Sequence, residues 1–232
     1  KGELAFTGLV QAIQQAVEDC LRIIPWRDIR YDFAHQCLTM EHPKHGILEV
    51  ARLSDGVRNM VGLAGDIAYR MVRLNSQFGS EAARKTPGLV LIDEVDMHLH
   101  PEWQQVILES LISAFPSVQF IVTTHSPQVL STIKKEHIRV LAENIDDELI
   151  ASEPLARTYG RSSADVLQSV MAVPPEPNNA DTLELRSYLS YLEQGGVVTD
   201  ETRASRERLV LLFGADHPSL LRADMILRRR EV

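Results

Sequence analysis

A short apolar run that ends in two acidic residues constrains the fold of this chain more than any other feature. Residues 89–92, LVLI, follow Pro87-Gly88 and lead directly into Asp93 and Glu94. A continuous apolar run of this length, bounded by turn residues and charge, predicts a strand buried on both faces of a parallel sheet. Ligands bind at the carboxyl ends of strands in such sheets, so the acidic pair stands at a predicted binding edge.

The acidic pair has the side chains that metal-assisted hydrolysis needs. A carboxylate at the end of a buried strand can hold Mg²⁺ or its bound waters, and we predict this role for Asp93. A second carboxylate beside it can orient or deprotonate an attacking water, and we predict this role for Glu94.

A second predicted strand brings a histidine to the same edge. Pro101 opens a predicted helix that runs to about Phe115, and residues 118–123, VQFIVT, form the next predicted strand. The two strands and their crossover helix form a right-handed unit, so the tips after the strands lie close together. The second tip carries Thr124-His125-Ser126. His125 can donate to a phosphate oxygen or to the attacking water; the alternative is an ordinary loop histidine, and the nearby acidic pair favours the functional interpretation.

A third motif precedes both strands. Residues 53–56, LSDG, lead into a stretch from 57 to about 74 whose apolar residues form a broad helical stripe. Ser54 stands at the helix N-cap position, and Gly56 lets backbone N–H groups approach an anion at the helix start. Because Ser-Asp-Gly opens many ordinary helices, the motif gains its weight from its order before the acidic pair and the histidine. Ser54, Asp55 and Gly56 are therefore candidate anion-binding residues.

Length, charge and cysteine content bound the class of protein. A chain of 232 residues with 44% hydrophobic content can bury one sizeable core and a small appendage. Its net charge of −8 argues against broad nonspecific nucleic-acid binding. Cys20 and Cys37 lack metal-ligand spacing and fit a reduced, cytoplasmic setting. No apolar run approaches the ~20 residues that a membrane-spanning helix needs.

Weaker signals outline the remaining segments. We predict a helix from Leu4 to Ile24 and then a strand pair at 29–33 and 38–40. After His125, the pattern predicts a short helix near 128–133, strands at 138–141 and 149–152 with a turn at 144–147, and a helix within 156–171 that Ser162 or Ser163 caps.

A proline-rich segment is the predicted domain boundary. Residues 174–179, PPEPNN, form a stiff linker, which divides the chain into 1–173 and 174–232. Three helices are predicted in the second part, at 181–194, 200–213 and 218–229. Their apolar stripes are more typical of a helical interface than of a cofactor site, and we expect contact with a partner through Tyr188, Tyr191 and Phe213.

The motifs together resemble a known family. The segments LSDGVRNMVGLAGDIAYRM, KTPGLVLIDEVDMHLHPEWQ, FIVTTHSPQVLSTI and TYGRSSADVLQSVMAVPPEP resemble the bacterial AAA_21-type ABC ATPases, the family of the PtuA ATPases of Septu and related retron antiphage systems. The resemblance covers roughly residues 50 to 232. It identifies Asp93-Glu94 with the Walker B motif, residues 53–56 with the ABC signature and His125 with the H-loop histidine. Two positions depart from the family pattern: Val57 replaces a polar signature residue, and His100 replaces the D-loop aspartate.

The resemblance implies a fold and a set of ligands and partners. The implied fold is α/β, the carboxyl-terminal part of an ABC-ATPase (P-loop NTPase) core with a small helical appendage. The implied ligands are ATP and Mg²⁺, with the signature residues contacting the nucleotide that the opposite subunit binds. The implied partners are a second copy, an HNH nuclease of the PtuB type and, in retron versions, a reverse transcriptase with its RNA–DNA product; no membrane is implied.

The phosphate-cradling loop of such ATPases is missing from the sequence. That loop has the pattern G-x-x-x-x-G-K-[ST] between a strand and a helix. The nearest match, residues 79–86, has Arg84 at the second glycine position and a predicted strand, not a helix, after it. We therefore expect the chain to be the carboxyl-terminal part of a longer ATPase.

Three other interpretations stay open at this stage. A DNA-repair ATPase of the RecF or SMC kind would share the motifs and add a coiled coil or a DNA-binding lobe. An ATPase of an OLD-like nuclease would continue into a Toprim metal site, but Leu141-Ala142-Glu143-Asn144 lacks the expected glycine after Glu143. A catalytically dead scaffold is disfavoured by the presence of Asp93, Glu94 and His125.

Overall fold

The chain folds as two separate units. The computed structural model describes residues 2–143 and 147–230. The boundary between the two units along the chain lies between Met171 and Ala172. The first unit combines helices with strands, and the described residues of the second form helices and loops. The mixture of helix and sheet agrees with the predicted α/β class.

Two long helices supply much of the core of the first unit. Helices α1 (Gly2–Cys20) and α2 (Asp55–Leu74) pack against each other. Helix α1 ends before the predicted Ile24, and Pro25 disfavours helical backbone in the residue that precedes it. The stripe predicted for α2 is confirmed, because its buried side chains follow helical spacing: Val57, Met60, Val61, Ala64, Ile67, Ala68, Met71 and Val72.

A three-stranded antiparallel sheet lies between these helices in sequence. Strands β1 (Arg27–Asp32) and β2 (Cys37–His42) form the predicted pair. A third strand, β3 (Gly46–Glu49), which the sequence pattern does not indicate, pairs with β2. Gly46 has a φ of 70° in the turn between β2 and β3, a conformation that glycine adopts without steric cost.

A parallel strand pair with a helical crossover follows α2. Its elements are α3 (Ala82–Lys85), β4 (Gly88–Ile92), α4 (Pro101–Gln104), α5 (Ile107–Ala114) and β5 (Val118–Val122). The predicted single helix over 101–115 is wrong, because the backbone leaves helical geometry at Val106 (φ −125°) and starts a new helix there. The predicted parallel pairing of the two strands is confirmed.

Among the described residues, one face of the sheet formed by β4 and β5 is covered and the other is exposed. Val90, Ile92, Phe120 and Val122 pack on the core. On the other face Leu89, Leu91 and Ile121 are 55%, 71% and 50% exposed. The prediction that residues 89–92 are buried on both faces is therefore wrong for the described chain, since no described element lies over the second face.

The rest of the first unit follows the predicted order. Its elements are α6 (Pro127–Leu130), β6 (Val140–Glu143), β7 (Leu149–Ser152) and α7 (Ser163–Ser169). Strands β6 and β7 pair antiparallel as predicted. Ser162 caps α7, because its side chain accepts a hydrogen bond from Asp165 N. Most of the turn predicted between β6 and β7 lies outside the described residues.

The second unit has a hydrophobic core of its own. Helices α8 (Ala180–Glu193), α9 (Asp200–Phe213) and α10 (Pro218–Arg230) agree closely with the predicted bounds. The core consists of Leu185, Tyr188, Leu192, Leu209, Leu220 and Ala223. Tyr188 is only 7% exposed, so its predicted role as a partner contact is wrong: the ring packs inside its own unit. Among the described residues, no helix is both long and apolar enough to cross a bilayer.

The core of the first unit provides a stability prediction. Leu111 is fully buried, whereas its neighbour Ile112 is 55% exposed. Leu111→Ala should lower the free energy of unfolding of this unit by about 2–5 kcal/mol, because it leaves a cavity in packed surroundings. Both tryptophans of the chain, Trp26 and Trp103, belong to this unit, so their fluorescence in a urea titration follows its unfolding. The matched control Ile112→Ala should change little, and equal losses from both variants would contradict this assignment of the core.

Candidate functional site

The two strand tips of β4 and β5 lie side by side. Ile92 and Val122 are the last paired residues of the parallel ladder. The pairing continues beyond it, because Thr123 N donates to Ile92 O at 3.0 Å and Val95 N donates to Thr123 O at 3.0 Å. This brings the segment with Asp93 and Glu94 against the segment that leads to His125.

A single hydroxyl group contacts both acidic residues. Thr123 Oγ1 donates to Asp93 Oδ1 at 2.5 Å and accepts from Glu94 N at 2.8 Å. Glu94 has a φ of 49°, a left-handed conformation that is uncommon outside glycine. Both acidic residues are exposed. The acidic pair is thus oriented by its neighbour strand and still open to a ligand.

The acidic pair fits a magnesium ion that substrate oxygens help to hold. Mg²⁺ is usually bound through one or two carboxylates together with waters and substrate phosphates. Asp93 Oδ1 is engaged by Thr123, and Asp93 Oδ2 has no hydrogen-bond partner among the described residues. The described part of the chain contains no group of three or more His, Cys, Asp or Glu side chains that could hold a metal without such help.

The residues on both sides of His125 are held by hydrogen bonds. Thr124 Oγ1 donates to the Asp96 carboxylate and accepts from Ser126 N at 3.0 Å. Ser126 Oγ caps α6 by accepting from Gln128 N at 3.1 Å. His125 itself is exposed. Its ring therefore projects from a fixed loop at the same edge as the acidic pair.

Helix α4 joins this loop to the segment after β4. Ser126 Oγ donates to Gln104 Oε1 at 2.7 Å, and Gln104 Nε2 donates to Leu99 O at 3.0 Å. Sequence reasoning did not identify Asp96, Gln104 or the hydroxyl of Thr123 as part of the site. The signal available in the sequence was the hydroxyl residues on both sides of His125, whose partners only the three-dimensional structure reveals.

The start of α2 presents exposed polar side chains. Ser54 has the extended backbone of an N-cap, but its side chain makes no capping hydrogen bond and is exposed. Asp55 instead pairs with Arg58, and Arg58 also donates to Ala51 O at 3.0 Å. Both Ser54 and Asp55 are exposed, and the Ser54 side chain has no hydrogen-bond partner among the described residues, whereas one carboxylate oxygen of Asp55 is paired with Arg58.

Gly56 has a packing role that its sequence position does not reveal. It is buried, and a Cβ atom placed on it would lie 3.1 Å from His98 O and 3.1 Å from Trp103 Cζ3. The glycine thus lets α2 approach the segment after β4 closely. Its neighbour Val57, which departs from the polar residue of the family pattern, is 3% exposed and belongs to the core.

His100 caps α4, at the position where the resemblance to ABC ATPases implies an aspartate. Its Nδ1 accepts from Glu102 N at 3.3 Å, which is how a carboxylate would cap the same helix. An acceptor nitrogen at Nδ1 puts the imidazole proton of the neutral ring on Nε2. A histidine at this position therefore supplies the helix cap, and its exposed Nε2–H can donate a hydrogen bond, which a carboxylate cannot.

The candidate residues fall into two groups within one chain. Asp93, Glu94 and His125 lie at the ends of β4 and β5, whereas Ser54 and Asp55 lie at the start of α2. Within residues 2–143 and 147–230, no hydrogen bond or ion pair joins a side chain of one group to the other. The close approach of Gly56 to His98 and Trp103 brings the start of α2 against the segment that follows Glu94.

The cysteines are not part of either group. Cys20 is fully buried, and burial, followed by the nearby charge of Asp19, raises the pKa of its thiol to about 12. It therefore remains a protonated core residue at neutral pH. Cys37 is half-buried on β2 and forms no disulfide.

The close approach at Gly56 predicts opposite effects for two glycines of α2. Gly56→Ala should destabilise the first unit, because its Cβ would press on a backbone carbonyl and on the Trp103 ring. Gly62→Ala, at an exposed position with nothing within 4 Å of the new atom, should stabilise it by roughly 0.5–1 kcal/mol through helix propensity. Thermal unfolding followed by tryptophan fluorescence measures both, and a shift of the same sign and size in the two variants would contradict the close packing.

Comparisons with known proteins show which family this chain resembles. Residues 26–131 match the AAA_21 family, described as "AAA domain, putative AbiEii toxin, Type IV TA system". That range contains the candidate nucleotide-site residues Ser54, Asp55, Gly56, Asp93, Glu94 and His125.

Curated proteins with similar sequences carry related names. The chain is 36% identical over 151 residues to the "Retron Vc95 probable ATPase" of Vibrio cholerae serotype O1 biovar El Tor, an alignment of 64% of this chain and 29% of that protein. It is 34% identical over 186 residues to the "Retron Ec83 probable ATPase" of Escherichia coli, an alignment of 79% of this chain and 33% of that protein. It is 38% identical over 117 residues to the "Septu protein PtuA" of Bacillus mycoides (strain KBAB4), an alignment of 50% of this chain and 16% of that protein.

These alignments span a third or less of each relative. The resemblance that the three motifs indicate is confirmed by the family match and by these relatives. Residues 26–131 thus match the AAA_21 family, and the chain is similar in sequence to proteins named as retron probable ATPases and Septu PtuA.

Proposed function

We propose that this chain is the carboxyl-terminal part of an ABC-type ATPase that acts in an antiphage defence complex. In this proposal it binds ATP with Mg²⁺, dimerises through the nucleotide and controls an associated HNH nuclease. The observation that carries the ATPase proposal is the meeting of Asp93, Glu94 and the His125 loop at the shared end of β4 and β5.

Each residue of this group has a chemical role in the proposal. Asp93, through its free carboxylate oxygen, would hold the metal ion. Bound Mg²⁺ would supply charge neutralisation at the phosphate oxygens. Glu94 would orient or deprotonate the attacking water, since its carboxylate is exposed beside Asp93. His125 would donate a hydrogen bond to a phosphate oxygen, because its ring projects from a loop that Thr124 and Ser126 hold in place.

We also propose that a phosphate-binding loop outside these 232 residues completes the site. The sequence contains no G-x-x-x-x-G-K-[ST] segment. The apolar face of β4 and β5 at Leu89, Leu91 and Ile121 supports this proposal, because parallel sheets normally have both faces covered. Further support comes from the relatives, which are about three times as long as the matched stretch or longer.

The division of the candidate residues into two groups supports the proposal of a head-to-tail dimer. Among the described residues, no hydrogen bond joins Ser54 to the acidic group of the same chain. A second copy could bring its own helix start to the nucleotide, and the free Ser54 hydroxyl would then contact a phosphate. With Val57 buried in place of a polar residue, the composite site would have one polar contact fewer, which favours slow hydrolysis and a long-lived dimer.

The partners are proposed from the names of the relatives and from the second unit. The retron and Septu names support a role in defence systems. In such a system the partners would be a PtuB-like HNH nuclease and, in a retron, a reverse transcriptase with its RNA–DNA product. The helical unit of α8–α10 is the proposed docking region, and its exposed apolar side chains support contact with a protein: Leu183, Tyr191, Val197, Leu211, Leu212 and Met225.

Replacement of the proposed base should separate binding from hydrolysis. In the full-length protein Glu94→Gln should reduce ATP turnover by ~10²–10⁴-fold, because the carboxylate that activates water is lost. ATP binding should persist, since Asp93 is unchanged. ATP-bound dimers should accumulate, which light scattering measures as an increase in molar mass. Glu109→Gln, the same change at an exposed residue of α5, is the matched control. A Glu94→Gln protein that turns over ATP at the wild-type rate would refute the role of Glu94.

Mixing two inactive variants tests whether Ser54 acts on the opposite subunit. Ser54→Arg should block the contribution of α2, and Glu94→Gln blocks the acidic group. In a head-to-tail heterodimer of the two, one site keeps an intact Glu94 from one subunit and an intact Ser54 from the other, so part of the ATPase activity should return.

The control for this experiment is a mixture without an intact site. Ser54→Arg mixed with the Ser54→Arg, Glu94→Gln double variant should stay inactive, because every site lacks Ser54. If the first mixture forms heterodimers and recovers no activity, or if monomers alone hydrolyse ATP, the composite site is refuted.

A further inference from the structure

We propose that Thr123 is a positioning residue that holds Asp93 and Glu94 in the orientation their roles require. The inference rests on the proposed ATPase function. It concerns a residue whose side chain need not touch the nucleotide, and its basis is the hydrogen bonding around the tip of β5.

The side chain of Thr123 is fully committed to the acidic pair. A hydroxyl has one proton to donate, and Thr123 donates it to Asp93 Oδ1 at 2.5 Å. The same oxygen accepts from Glu94 N at 2.8 Å. Oδ1 is engaged in this way, whereas Oδ2 makes no hydrogen bond among the described residues.

The backbone of Thr123 extends this hold to four consecutive residues. Its N–H donates to Ile92 O and its carbonyl accepts from Val95 N, both at 3.0 Å. With the two side-chain bonds, Thr123 is hydrogen-bonded to each residue from Ile92 to Val95. These hydrogen bonds matter most at Glu94, because its left-handed φ of 49° is unfavourable and persists only where neighbouring contacts hold the backbone in place.

The residue type suits the task. Threonine is branched at Cβ, so its χ1 angle is restricted and the hydroxyl is aimed before any ligand arrives. Valine has nearly the same shape without the hydroxyl, and serine keeps the hydroxyl without the extra methyl group. The adjacent Thr124 cannot replace it, because its own hydroxyl donates to Asp96.

The first test is kinetic and uses the full-length protein. Thr123→Val should lower kcat for ATP by on the order of 10²-fold, the cost of small misplacements of catalytic groups. The KM for ATP should stay close to that of the wild type, because groups that bind nucleotide remain. Thr123→Ser should restore most of kcat, since the hydroxyl returns. Thr132→Val is the matched control and should leave both constants unchanged; among the described residues the hydroxyl that it removes bonds to Val129 O, near the end of α6.

The second test reads the geometry without catalysis. Hydrogen exchange at the Glu94 amide should be slow in the wild type and in Thr123→Ser and Thr132→Val, and faster in Thr123→Val, which lacks the acceptor. Equal exchange in the wild type and Thr123→Val, or an unchanged kcat in Thr123→Val, would overturn the proposal. A wild-type protein without ATPase activity would instead refute the proposed function, and the exchange rates would still show whether Thr123 orders the acidic pair.

Discussion

The in-register parallel pairing of β4 and β5 is the interaction on which the candidate site depends. Because Ile92 lies opposite Val122, Thr123 is the first residue past the ladder and reaches both Asp93 and Glu94. A slip of one residue along β5 would turn its side chains to the opposite face of the sheet. Thr123 would then point away from the acidic pair, and Val122, Phe120 and their neighbours would leave the core.

Much of this architecture follows from short-range sequence patterns. The apolar stripe of residues 57–74 predicts α2, and two apolar runs joined by a crossover predict the parallel strands. The break between α4 and α5 is not visible in the apolar spacing, because it depends on how the chain packs around Val106. Likewise, the exposure of Leu89 and Leu91 depends on which elements cover the sheet, and no single strand sequence contains that information.

The candidate site was predictable in its parts and not in its connections. The spacing of motifs places Asp93, Glu94 and His125 at one sheet edge, because the ends of adjacent parallel strands must meet. The hydroxyl bridge of Thr123 and the contact of Ser126 with Gln104 depend on the exact three-dimensional positions of side chains, which no sequence pattern encodes. Tyr188 illustrates the reverse error: an aromatic residue on a helical stripe suggested a partner surface, and it is a core residue of its own unit.

The contact of Gly56 with His98 and Trp103 has a consequence for how two nucleotides would influence each other. Packed interiors compress little and so transmit displacement; we therefore expect a shift of the start of α2 to displace the loop after Glu94. In a head-to-tail dimer these two segments of one chain would face different ATP molecules. Filling one site would thereby alter the affinity of the other, and ATP binding would be cooperative, with a reciprocal coupling free energy between the sites.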